Sequence, residues 1–105
     1  MVRGEVFRLP APSPKRGREQ QGARYAVVLQ ADDFLGLSTV LVAPTSMSAR
    51  AATFRPAIEL LGTETRVLVE QTTVVDQQRL GNSAGRLNAA EMQSLDDALR
   101  LVLAL

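Results

Sequence analysis

Gly22-Ala23-Arg24-Tyr25-Ala26-Val27-Val28-Leu29-Gln30, followed closely by Thr39-Val40-Leu41-Val42-Ala43-Pro44-Thr45-Ser46, is the stretch that decides the fold. Tyr25 to Gln30 is nearly unbroken apolar sequence, the pattern of a strand covered on both faces. Thr39 to Ala43 reads as a second buried strand, Pro44-Thr45-Ser46 as its end, and Ala31 to Gly36 as the turn between the two. An arginine therefore stands at the entry of one strand and a hydroxyl pair at the exit of the next. If the strands are neighbours, cation and hydroxyl converge on one small site. Such a pair can grip and activate a phosphate with neither a metal nor a histidine.

Upstream, Arg3 to Leu9 reads as a first strand. Pro10, Pro12 and Pro14 then recur at alternate positions, which neither a ladder nor a helix tolerates. Residues 9–18 are accordingly an exposed loop carrying Lys15, Arg16 and Arg18. Downstream, residues 48–52 read as connection. Thr53 to Leu60 reads as a strand that Pro56 demotes to an edge or bulged position. Arg66 to Glu70 alternates around Val67 and Val69, Thr72 to Val75 is β-branched, and Gln77 to Arg86 suggests a short strand and turn. The period then changes. Asn88 with Glu91 three residues on resembles a capping box. Met92, Leu95, Leu99 and Val102 repeat at three and four, so a helix is expected from about Ala89 to Ala104, with this stripe in the core and Asp96, Asp97 and Arg100 off it. Several short strands and one terminal helix predict a mainly β (α+β) fold, a small, strongly bent antiparallel sheet or barrel, in a single domain spanning 1–105.

Composition narrows the chemistry. The chain has 105 residues, 46% of them apolar, enough for a modest core, and a net charge of +1. Residues 1–24 hold six basic side chains against Glu5 and Glu19, whereas residues 89–105 set Arg100 against Glu91, Asp96 and Asp97. All of the cations but Lys15 are arginines, the type suited to bidentate phosphate contacts and to stacking on bases. With neither cysteine nor histidine, thiolate catalysis, disulfides and the commonest metal ligands and general base are excluded. No cofactor and no metal is expected. No stretch approaches the length of a membrane span and no signal-peptide core is present, so a cytoplasmic protein without a membrane partner is the expectation.

Arg3-Gly4-Glu5-Val6, Gly17-Arg18-Glu19-Gln20 and Gly22-Ala23-Arg24 ahead of an apolar strand occur in an order that resembles the MazF/PemK family of toxin endoribonucleases. The likeness continues through Val42-Ala43-Pro44-Thr45, Val67-Leu68-Val69-Glu70-Gln71 and Asp76-Gln77-Gln78-Arg79-Leu80 to the terminal helix. The resemblance implies an SH3-like barrel with a C-terminal helix, working as a homodimer. It further implies metal-independent cleavage of single-stranded RNA within short recognition sequences, and neutralisation by a cognate MazE-like antitoxin. It places catalysis on Arg24 and Thr45. Two departures stand out: Tyr25 occupies the place where the family usually has proline, and Ser46 beside Thr45 leaves the hydroxyl ambiguous by one position.

Around that pair, Glu19 and Gln20 would organise the loop or touch substrate. Arg16, Arg18 and Arg50 would contact RNA backbone or bases, and Gln71 would either read a base edge or bridge strands as a buried amide. The dimer surface is expected around the strands after Val40. A CcdB-like gyrase toxin shares the barrel, but that reading calls for a terminal tryptophan and this chain has none. A non-catalytic RNA-binding module, or a decayed relative that only sequesters antitoxin, would not need Arg24 and Thr45 together.

Overall fold

The computed structural model describes residues 1–10 and 24–105. Among these residues seven strands form one antiparallel sheet: β1 (Glu5–Arg8), β2 (Tyr25–Val28), β3 (Thr39–Ser46), β4 (Ala57–Leu60), β5 (Thr63–Val67), β6 (Thr73–Asp76) and β7 (Ser83–Arg86). The helix α1 (Ala89–Leu103) follows. Strand order is β4-β5-β3-β2-β1-β7, with β6 also on β3, so the sheet curls into the nearly closed SH3-like barrel expected.

β3 is the hub. One edge pairs with β2, Ala26 opposite Pro44 and Val28 opposite Val42. The other edge takes β6 along Thr39–Val42 and β5 along Thr45–Ser46. Between Val67 and Thr73 the chain detours through a one-turn 3₁₀ helix, Val69–Gln71, while β3 advances only from Thr45 back to Val42.

The unbroken apolar run of β2 follows from having a core on each face. Val27 and Leu29 join Val6, Ala43, Ile58, Val67 and Leu95 beneath the helix. Ala26 and Val28 join Leu9, Val40, Val42 and Val75 in a second cluster. The capping box forms as the sequence predicts: Asn88 Oδ1 accepts from the Glu91 N–H at 2.8 Å, and Glu91 Oε1 accepts from the Asn88 N–H at 2.8 Å.

Four expectations are corrected. Pro44-Thr45-Ser46 does not end the strand, because β3 runs through Ser46. Pro44 is tolerated because its carbonyl accepts from Leu68 N–H at 2.8 Å, on the edge where β5 gives way to the 3₁₀ turn and no donor is demanded of it. The strand read at Thr53–Leu60 is only Ala57–Leu60, beginning just after Pro56. Of the alternation read at Arg66–Glu70 only Arg66 and Val67 are strand: β5 starts at Thr63, hidden by its polar Thr-Glu-Thr opening although Thr65 is buried, and Val69 to Gln71 turn into the 3₁₀ helix. Val102 is exposed rather than part of the core stripe, because the core contacts of α1 run through Met92, Leu95, Ala98 and Leu99 and stop a turn before it.

Candidate functional site

The β2–β3 register brings the backbone of Arg24 to the end of β3 that carries Thr45 and Ser46. Tyr25 pairs with Arg8 on one side, and the step from Ala26–Pro44 sets Tyr25 against Thr45 on the other. The Thr45 hydroxyl donates to the Tyr25 carbonyl at 3.4 Å, a long contact. Arg24, half-buried, immediately precedes β2, and its carbonyl accepts from Leu9 N–H at 2.7 Å.

Alternation separates the two hydroxyls. Thr45 shares its row with Tyr25 and Val67, both of which pack on the helix-side core. Ser46 stands one step on, opposite Arg66, and continuing the β2 register by one residue sets Arg24 beside it. Ser46 Oγ is already engaged, accepting from Ser48 N–H at 3.2 Å and sharing a proton with Ser48 Oγ at 3.3 Å.

Gln71 is exposed at the end of the 3₁₀ turn, which rules out the buried-amide reading. Its N–H donates to the Leu68 carbonyl at 2.9 Å, and Leu68 in turn binds Pro44, so the turn sits against β3 next to Thr45. Arg50 is exposed in the β3–β4 connection. That connection is tied down by Arg55, whose Nε and Nη2 donate to Glu70 Oε2 at 2.9 and 2.6 Å and whose Nη1 donates to the Arg50 carbonyl at 3.3 Å. The Arg55 guanidinium carbon also lies 5.4 Å from the centroid of the Phe54 ring. Its hydrogen bonds hold the Glu70 carboxyl below the usual carboxylate range. Arg16, Arg18, Glu19 and Gln20 lie outside the described residues.

Arg66, Arg55 and Glu70 escaped the reading of the sequence. The available signal was Arg66 at a polar position between Thr65 and Val67, which alternation turns outward. Two shallow cavities lie elsewhere. One, of about 280 Å³, is lined by Ala57, Ile58, Glu59, Glu64 and Glu91, and its three carboxylates suit no phosphate. The other, of about 340 Å³, lies beside the end of α1 and contains no candidate site residue. Among the described residues there is no group of three or more acidic side chains arranged to hold a metal. No described helix is long and apolar enough to cross a membrane.

Comparison with known proteins agrees with the barrel. A Mycobacterium tuberculosis protein carrying a provisional toxin name, Rv3098A, is 47% identical over 75 residues, 71% of this chain and 70% of its own length. "Endoribonuclease MazF9" from the same organism is 33% identical over 112 residues, covering 96% of this chain and 94% of its own. Among solved structures, a mycobacterial endoribonuclease bound to its cognate antitoxin superposes with a TM-score of 0.82 over 100% of this chain and 96% of its own, at 18% identity. MazF from Deinococcus radiodurans gives 0.78 over 100% and 97%, at 22% identity. These last two likenesses speak to fold alone. The family model described as "PemK-like, MazF-like toxin of type II toxin-antitoxin system" matches residues 2–103, and the chain belongs to that family.

Proposed function

We propose that the chain is a sequence-specific, metal-independent endoribonuclease toxin acting on single-stranded RNA. The observation that carries this reading is the β2–β3 pairing, which sets a half-buried arginine and a threonine hydroxyl at one end of two adjoining strands. The 2′-oxygen of the substrate attacks its own neighbouring phosphorus. The new P–O2′ bond forms as P–O5′ breaks, the 2′ proton leaves, and a proton reaches the departing 5′ oxygen. The products are a 2′,3′-cyclic phosphate and a 5′-hydroxyl end.

In this reading Arg24 clamps the phosphorane-like state through its planar donor fork. A guanidinium keeps its proton under ordinary conditions, so a phosphate oxygen, water or Glu19 accepts the 2′ proton instead. Thr45 is favoured over Ser46 as the second donor, because among the described residues its hydroxyl makes only the long Tyr25 contact while Ser46 is committed to the turn at Ser48. Arg24 continues the β1–β2 ladder through its bond from Leu9 N–H, which roots its side chain on the face away from Thr45, so in this reading its three-methylene stem reaches round the strand end to the phosphate. Arg50 and Gln71, with Arg16, Arg18, Glu19 and Gln20 outside the described residues, hold the RNA.

A cognate antitoxin is the partner in this scheme; two solved structures of the same fold are complexes, a mycobacterial endoribonuclease with its cognate antitoxin and MazE-MazF from Deinococcus radiodurans. An acidic segment that folds on binding fits a face rich in arginine. A homodimer is supported by Leu41 and Val74, directly paired and exposed where, among the described residues, β6 pairs with no strand but β3. The test is to incubate purified protein with long RNA in EDTA and map the 5′ ends. Discrete cuts with 5′-hydroxyl ends are expected. Intact RNA that is nonetheless bound would favour a non-catalytic binding module.

A further inference from the structure

We propose that Arg66 is a second RNA-gripping arginine, binding a phosphate adjacent to the scissile one; this rests on the ribonuclease reading above. Arg66 lies on β5 directly opposite Ser46, one residue from the Thr45–Val67 pair. Thr65 and Val67 on either side are buried, so Arg66 projects outward, its side chain 26% exposed.

Its guanidinium is aimed. Nη1 donates to the Arg55 carbonyl at 3.0 Å, and Arg55 is itself fixed by two hydrogen bonds to Glu70. Among the described residues its Nε and Nη2 make no hydrogen bond, and the residue facing it across β3 is Ser46. Two carboxylates bear on this guanidinium, Glu70 through Arg55 and Glu64 directly. Glu70 is already bound by Arg55, and Glu64 is 3.9 Å from Nη2 and 75% exposed, a pair that solvent screens heavily.

Arg24 and Arg66 flank the Thr45–Ser46 segment of β3 from opposite sides. Their backbones are two strand steps apart, about 10 Å. That separation suits two successive phosphates of an RNA backbone crossing β3 better than two grips on one. Arg24 would hold the reacting group and Arg66 its neighbour.

The experiment measures binding of a 2′-O-methylated oligonucleotide carrying the cleavage sequence mapped with wild type, across a range of salt. For single strands each neutralised phosphate contributes about 0.7 to the slope of log K against log salt. Arg66→Gln should lower the slope by about 0.7 and weaken binding about tenfold. On cleavable RNA, KM should rise while kcat changes little. Arg66→Lys should restore the slope, and the remote control Arg100→Gln, whose cation pairs with Asp97 on the helix, should leave it unchanged.

Should the Gln variant melt early, methylphosphonates at the two phosphates flanking the scissile one repeat the measurement on wild type, and one of them should lower the slope. An unchanged slope in Arg66→Gln, or in wild type with both methylphosphonates, overturns the assignment. A loss confined to kcat does so too. Wild type that cuts no RNA rejects the enzymatic reading instead, so the two failures are distinguishable.

Discussion

Thr45 and Ser46 differ by one position on β3, and pleating gives them different surroundings. Thr45 faces the row of Tyr25 and Val67, whereas Ser46 Oγ caps the turn at Ser48. If Thr45 donates to the developing phosphorane, Thr45→Ala should cut kcat by about 10²–10³. Ser46→Ala should leave kcat within a few-fold and act mainly on KM. The reverse ranking in single-turnover cleavage would move the catalytic hydroxyl to Ser46. A second residue-scale effect belongs to Glu5, whose carboxyl is held below its usual range first by the Ser83 hydroxyl at 2.6 Å, opposed by burial and aided by Val2 N–H. A depressed folded value means the stabilisation is present above the unfolded pKa and fades as pH falls through the folded one. Urea melts of Glu5→Gln should therefore show a smaller loss of stability than wild type between neutral and acidic pH.

At the scale of elements, the β4–β5 hairpin contains a correctable flaw. Leu60 pairs with Thr63, leaving a two-residue turn of Leu61 and Gly62, both with positive φ (52° and 81°). That backbone twist suits hairpins but favours Asn-Gly over Leu-Gly. Leu61 is also 68% exposed, so its side chain has little packing to lose. Leu61→Asn should stabilise the fold by about 1 kcal/mol, read as a higher midpoint in urea. The helix start behaves oppositely. Asn88→Ala removes the acceptor for Glu91 N–H and should cost about 1 kcal/mol.

For the whole molecule, the two cores explain which surfaces remain apolar. Helix and sheet bury Leu95 and Ala98, while β3 and β6 leave Leu41 and Val74 side by side in solvent, 40% and 56% exposed. If that pair meets its copy in a second chain, Leu41→Glu should convert dimer to monomer in sedimentation without loss of secondary structure. A wild type that sediments as a monomer at high concentration would remove this role from the pair.

The sequence determined the elements whose signals are local. The β2 run is apolar because both its faces are covered, and the helix announces itself by its capping box and its three-four spacing. The arginine before β2 and the hydroxyls on β3 were legible for the same reason, since each sits at the margin of a strongly patterned stretch. Only the tertiary structure decided what depends on contacts between distant segments. Pro44 continues a strand because Leu68, far along the chain, uses its carbonyl and asks it for no donor. Arg66 comes opposite Ser46 because β5 docks on β3, a pairing that the polar run Thr63-Glu64-Thr65 conceals. Periodicity reports which face a residue turns, but register across strands decides which residues meet there.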